Sequence, residues 1–345
     1  EYFFKTHIED QGILNEYYHA ELLDSAGYNV VHPLRLLREK ERQMVIYPVI
    51  SWPVMFDLLR STETGEDLPA GLSETTLLEA EKAACQHLLS IYASTFQPPR
   101  DTSSAPIHQL FWHRLAGGRF QQFYTNKHIP LPDLRNQDSL LFEQILRARW
   151  IIQGVEQQKT LGELIEQGKS RLDPARPLAT VVGHGDAHFG NVFLENAKRY
   201  LYFDPAFAGE HSPLLDVVKP LFHNVFAMWM YFPQQIAQTL QLAVRFADNT
   251  LIVQHNYRLP AIRQKLLQTK REHLLHPLLA WLEKQSALPE DWQDLLNLAL
   301  MCCPLLTVDL FDLQKRSAAI GWLGLSQAIQ LGNAGIDALE GGSIG

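Results

Sequence analysis

A chain of 345 residues can bury a sizeable core in one large or two smaller domains, and 46% hydrophobic with 20% charged residues is an ordinary globular balance. The net charge of −8 argues against a general nucleic-acid binder and mildly favours cationic or neutral small partners. No apolar run reaches the ~18 residues of a membrane span, and Cys85, Cys302 and Cys303 have no metal-ligand spacing, which predicts buried free thiols in a reducing, cytoplasmic compartment.

Residues 2–6 read as a strand, and residues 13–26 as a helix that stops at Gly27. Residues 30–33 and 43–50 read as extended segments, the second a buried strand. Pro48 and Pro53 then break regularity, so residues 1–50 form a small strand-rich lobe. From Phe56 the character turns helical. Leu77, Leu78, Ala84, Cys85, Leu88 and Leu89 recur near a 3.6-residue period across 75–92. Residues 97–106 are a loop by composition. Residues 107–124 are aromatic and basic; Phe111 to Tyr124 reads as an aromatic substrate wall or as core with two solvated arginines, and core is favoured. Residues 140–165 read as one helix or two. After Lys219 the pattern is helical almost to the end, with helices expected at 222–230, 234–251, 260–286, 291–301 and 313–331.

The chemistry concentrates at 181–219. An apolar run leads into His184-Gly185-Asp186-Ala187-His188-Phe189-Gly190-Asn191. Two short β-prone runs, 192–194 and 200–203, flank a polar turn at 196–198 and predict a hairpin. Folding the hairpin brings Asn191 at its entrance beside Asp204 at its exit. An amide oxygen and a carboxylate then converge as ligands for a hard cation, with the Asp186 carboxylate close upstream. Phosphoryl transfer from a metal-bound nucleotide needs such a set.

His184-x-Asp186-x-x-x-x-Asn191, a hairpin and then Asp204 resembles the catalytic core of the aminoglycoside phosphotransferase and choline kinase superfamily. These are small-molecule kinases of protein-kinase-like fold, with the signature HGDxHxxN followed by a strand-borne Asp. Here the signature stands as HGDAHFGN and YFDP. The resemblance implies an α+β fold of two lobes. Residues 1–50 would be the nucleotide-binding lobe, incomplete at its start because only four residues precede Lys5, where a Gly-rich loop belongs. Residues 51–345 would be the helical lobe carrying the catalytic stretch.

The same resemblance implies ATP and Mg²⁺ as cofactors and a small-molecule hydroxyl acceptor, with no nucleic acid or membrane partner. Asp186 would take the proton of the acceptor hydroxyl. Asn191 and Asp204 would hold Mg²⁺. His184 would brace the catalytic loop, His188 would line or support it, and Asp216 would anchor loop backbone. Lys5 would meet the nucleotide phosphates with Glu16 as its partner, Glu21 being the alternative. Pro48 to Ile50 would be the hinge against adenine. Gly185 stands where protein kinases carry Arg, and only eleven residues separate Asp204 from Asp216. Both features favour a small-molecule kinase over a protein kinase.

Two alternatives stay open on the residues alone. His184, Asp186 and His188 alternate, and on a strand they would share one face and could hold zinc for a hydrolase. A non-catalytic nucleotide-binding protein of the same fold is the other; the intact Asp186, Asn191 and Asp204 set speaks against it. Glu210-His211, just past Asp204, reads either as an acceptor contact or as a turn pair.

Overall fold

Leu178–Gly183 reads Leu-Ala-Thr-Val-Val-Gly, apolar and β-branched with no charge, and forms a strand buried along its whole length. It is the middle strand of a three-stranded antiparallel sheet, between Gln97–Arg100 and Gly209–His211. The computed structural model describes residues 2–6, 12–37, 44–132 and 139–340. The fold is α+β, as the sequence predicts, and the chain divides into two units.

The first unit takes Glu1–Ile107, Pro177–Val225 and Pro260–Pro289. Its N-terminal sheet is antiparallel, with Met44–Pro48 between Tyr2–Thr6 and Arg35–Leu37. The helix Gly12–Ala26 ends where expected: Gly27 takes the left-handed φ of +103° that a C-terminal cap asks for. The extended segment expected at 30–33 does not join this sheet. Val30 instead bridges Tyr202, and Val31 N–H donates to the Tyr202 carbonyl at 2.8 Å. Residues 30–31, which lead into the small sheet, are thereby fastened to Tyr202. Ser73 caps the long helix Glu74–Thr95 by accepting the Thr76 N–H, and that helix buries Leu77, Ala80, Cys85, Ile91 and Tyr92 along one side.

The predicted hairpin forms as Val192–Glu195 against Arg199–Tyr202, with Val192 opposite Tyr202. Asn196 and Ala197 both adopt positive φ in its turn. Phe193 and Phe203 stack at 4.5 Å and pack on the buried cluster of Val31, Val45, Tyr47 and Leu201. Behind it stands a buried ion pair: Glu81 accepts from Lys270 and, at 2.6 Å, from the Tyr200 hydroxyl.

The second unit takes His108–Arg176, Phe226–Leu259 and Glu290–Gly345. Helices Leu161–Arg171, Trp292–Leu306 and Ala318–Ala334 supply much of its core. It also holds a four-stranded mixed sheet in the order Leu242–Ala247, Thr250–His255, Arg149–Ile152, Val155–Glu156, whose middle pair is parallel. This sheet corrects two helix expectations. The 234–251 helix ends as Pro233–Thr239, and 140–165 carries strands between its helices. The physical reason is local. Leu242, Val244 and Phe246 alternate with more exposed neighbours, a period of two. Asp248-Asn249 and Gln153-Gly154 are two-residue turns with positive φ at both positions, which closes tight hairpins. Trp150 of this sheet lies 6.0 Å from Trp322, both fully buried. No helix among the described residues is long and apolar enough to cross a membrane.

Candidate active site

The central strand delivers the chain to Asp186 through two glycines that the local geometry requires. A Cβ on Gly183 would lie 2.5 Å from His211 Nε2 and 2.6 Å from Asp216 Cγ. Gly185 has φ +78°, and a Cβ there would sit 2.4 Å from the Phe207 carbonyl oxygen. The chain turns at Gly185, whose N–H donates to Asp216 Oδ1 at 2.6 Å. Asp216 also accepts from His211 Nε2 at 2.9 Å and from the Tyr92 hydroxyl. Burial acts to raise the Asp216 carboxyl, but the bonds from His211, Tyr92 and Gly185 outweigh it and hold the group below the usual carboxylate range. Asp216 therefore anchors loop backbone, as the sequence suggests. His211 is fully buried on it, while Glu210 pairs with Arg100 at the surface, so His211 is a structural partner and no acceptor contact.

Around Asp186 the loop closes on itself. Its carbonyl accepts the His188 N–H at 2.8 Å and the Asn191 side-chain N–H at 2.9 Å. Because that amide must donate to a carbonyl, its nitrogen is identified and Oδ1 is left for an outside partner. His184 is fully buried, and its Nε2–H donates to the Phe203 carbonyl at 3.1 Å. Its Nδ1 faces the Asp186 N–H at 3.4 Å. Burial lowers the His184 pKa, in keeping with the neutral ring that these two partners demand. His188 Nδ1 accepts the Gly190 N–H at 3.1 Å, and its Nε2 lies 3.9 Å from Asp186 Oδ2. Phe189 N–H donates to Asn224 Oδ1 at 2.8 Å, and the Lys270 ammonium sits over its ring.

The carboxylate of Asp186 is asymmetric. Oδ1 is sealed from solvent, and Lys219 Nζ lies 3.4 Å from it without a well-aligned hydrogen bond. The side chain still keeps 16% exposure, so any group reaching this carboxylate from solvent meets Oδ2. Burial acts to raise this carboxyl, and Lys219, His188 and His184 together bring it below the ordinary value.

The hairpin brings Asn191 close to Asp204 in the chain's fold. Phe203 N–H donates to the Asn191 carbonyl at 3.1 Å, so Asn191 stands beside the residue preceding Asp204. Asp204 has φ +55°, a left-handed conformation that Asp tolerates better than most residues. One amide oxygen and one carboxylate fit a hard divalent cation that draws its other oxygens from phosphate and water. The zinc trio does not fit. Both ring nitrogens of His184 are spent on backbone groups, and among the described residues no three His, Cys, Asp or Glu side chains converge.

The nucleotide-side expectations fare unevenly. Lys5 lies in the strand Tyr2–Thr6 opposite Val45, and Glu16 in the helix Gly12–Ala26. Their side chains lie outside the described residues. Glu21 is exposed. Pro48 ends the strand Met44–Pro48, and Ile50 packs with Phe193 and Phe203 on the cluster of Val31, Val45, Tyr47 and Leu201. The proposed hinge thus touches the hairpin that carries Asn191 and Asp204. From the helix Gly12–Ala26, His19 Nδ1–H donates to the Pro205 carbonyl at 3.0 Å, one residue past Asp204.

Sequence reasoning missed Lys219, Asn224, Tyr92 and His19. Lys219 left a signal: a lysine inside an apolar stretch, four residues before His223, is seldom fully buried without a partner.

With this geometry in place, the comparison with known families is informative. The model of the phosphotransferase enzyme family (APH) matches residues 113–250. The resemblance to the aminoglycoside phosphotransferases holds. The matched residues include Asp186, Asn191, Asp204 and Asp216. No curated protein sequence matches the chain. Among solved structures, a glucosamine kinase aligns over 97% of this chain and 71% of its own, at 13% identity and a TM-score of 0.47. The AMP-bound complex of spectinomycin phosphotransferase APH(9)-Ia aligns over 96% of this chain and 87% of its own, at 13% identity and a TM-score of 0.38. Neither alignment is tight enough to carry a residue-by-residue correspondence.

Proposed function

We propose that the protein is a small-molecule kinase that moves the γ-phosphoryl group of ATP to a hydroxyl. The observation that carries this reading is the joint placement of Asp186, Asn191 and Asp204. Asn191 donates to the Asp186 carbonyl with its side chain and accepts from Phe203, next to Asp204, with its own carbonyl. One residue therefore spaces the carboxylate that meets the acceptor from the carboxylate that meets the cation.

Asp186 Oδ2 accepts the acceptor hydroxyl and aims its oxygen at phosphorus. A carboxylate of lowered pKa is ionised at neutral pH, so it orients and receives the proton late instead of pulling it off early. His184 holds the loop through Phe203, and His188 holds the turn at Gly190. Asn191 and Asp204 would hold Mg²⁺, which offsets the charge on the nucleotide phosphates. Residues 1–50 serve as the nucleotide lobe, with Lys5 and Glu16 toward the phosphates and Pro48 to Ile50 against adenine; residues 51–345 form the rest. Cys85, Cys302 and Cys303 are buried and form no disulfide, which suits a cytoplasmic protein.

The test is a screen of aminoglycosides, choline-like amines, sugars, amino alcohols and nucleosides for ATP-dependent phosphorylation. Net acidity ranks the cationic acceptors first. Mass gain of one phosphoryl group on an acceptor, dependent on Mg²⁺ and lost in Asp186→Ala, is the expected result. Wild-type turnover by Asp186→Ala would sink the mechanism.

A further inference from the structure

Lys219 is a lysine with 5% of its surface exposed, in a short helix whose other residues, Val218–Val225, are all buried. A buried ammonium is costly unless it is partnered, and an apolar residue of similar volume is often as stable or more so. Packing alone therefore does not account for a lysine here. Its two neighbours do. Nζ donates to His223 Nε2 at 2.9 Å, one helical turn further on, and lies 3.4 Å from Asp186 Oδ1. His223 in turn lies 5.5 Å, ring to ring, from His188, which faces the other oxygen of Asp186 at 3.9 Å.

The same stretch of chain also holds the loop backbone, through the side chain of Asp216. Asp216, three residues before Lys219, takes the Gly185 N–H. One stretch of chain thus holds both the His184–Gly185 peptide and the side chain of Asp186. Among the described residues Oδ1 has no aligned hydrogen-bond partner, and it has no access to solvent. Without a cation beside it, that oxygen would turn toward water or toward the substrate, and the carboxylate would lose its fixed orientation.

We propose that Lys219, steadied by His223, is a positioning residue for phosphoryl transfer: it occupies the Oδ1 side of Asp186 so that only Oδ2 is presented to the acceptor hydroxyl. The inference rests on the phosphotransfer reading of Asp186. It assigns the unassigned lysine a part in turnover and none in nucleotide affinity, because Lys219 meets the base and not the Asn191–Asp204 pair.

The test is steady-state Mg-ATP hydrolysis, with water as the acceptor, on the full chain and its Lys219→Met, Lys219→Gln, Lys219→Arg and Asp186→Asn variants, alongside equilibrium Mg-ADP binding and thermal unfolding. Lys219→Met and Lys219→Gln are expected to lose at least about 100-fold in kcat with Mg-ADP affinity within about threefold of wild type, and Lys219→Arg to recover about tenfold or more of that loss. A merely structural lysine would instead lower the unfolding temperature and the binding affinity together, and that pattern overturns the inference. If Lys219→Met does not fold, Lys219→Gln, which keeps a donor but no charge, decides. Hydrolysis at wild-type level in the Lys219 variants while Asp186→Asn is dead overturns the inference and leaves the phosphotransfer reading standing. Wild-type hydrolysis by Asp186→Asn overturns both.

Discussion

Asp216 Oδ1 accepts the Gly185 backbone N–H at 2.6 Å, across a gap in sequence of thirty-one residues. That bond fixes the His184–Gly185 peptide, one residue before Asp186. Asp216 has two further donors, His211 and Tyr92, and all three donors would be left in the core without it.

Asp216→Ala is accordingly expected to destabilise the protein by about 3–5 kcal/mol, as for a buried charged group losing its partners. Denaturant unfolding measures it. The pH dependence has a definite sign. The folded carboxyl lies below its unfolded value of about 3.9, so its contribution is present above that pH and is lost as the pH falls through the folded value. Stability of the wild type should drop in that acid window, and the drop should be shallower in Asp216→Asn.

Gly183→Ala should also disturb this anchor, since its Cβ would fall within 2.7 Å of both His211 and Asp216. A loss of about 1–3 kcal/mol is expected for overpacking at a buried site. Turnover should fall with it, because His211 and Asp216 must move. An alanine variant with unchanged unfolding temperature would contradict the close packing described.

Asp186→Ala and Asp204→Ala should separate turnover from binding. The first is expected to reduce turnover by about a hundred- to ten-thousand-fold with little change in ATP affinity. The second should weaken Mg-ATP binding itself. Calorimetric titration with Mg²⁺ and with EDTA distinguishes them: chelation should cost the wild type most of what Asp204→Ala has already lost.

Glu81 and Lys270 pair beneath the hairpin, at 2% and 3% exposure. Glu81→Leu alone strands Lys270 and the Tyr200 hydroxyl, and should cost about 3–5 kcal/mol. Adding Lys270→Met removes the orphaned charge, so the double variant should recover much of that loss. A simple sum of the two single effects would refute the coupling.

Ala197 holds φ +58° in the hairpin turn. Glycine reaches that region without the roughly 1 kcal/mol cost borne by other residues, so Ala197→Gly is expected to raise the thermal midpoint slightly without altering turnover. A lower midpoint would mean that chain entropy outweighs the relieved strain.

Local chemistry made part of this legible from sequence. Hairpin composition around Asn196 brought Asn191 next to the Tyr202–Phe203 peptide, and Gly27 stopped its helix, because turn geometry and caps are decided by neighbours in the chain. The strands at 242–255 were misread as helix. Their alternation is short, and the Asp248-Asn249 turn carries no glycine to announce it.

The sequence by itself determined which residues could serve phosphoryl transfer: Asp186, Asn191 and Asp204 follow from their types and spacing. Only the tertiary structure decided which oxygen of Asp186 is free, and that Lys219 and Asp216 grip its loop. Those contacts join residues about thirty positions apart, and their strength comes from burial, which removes the water that would otherwise compete for the same charges.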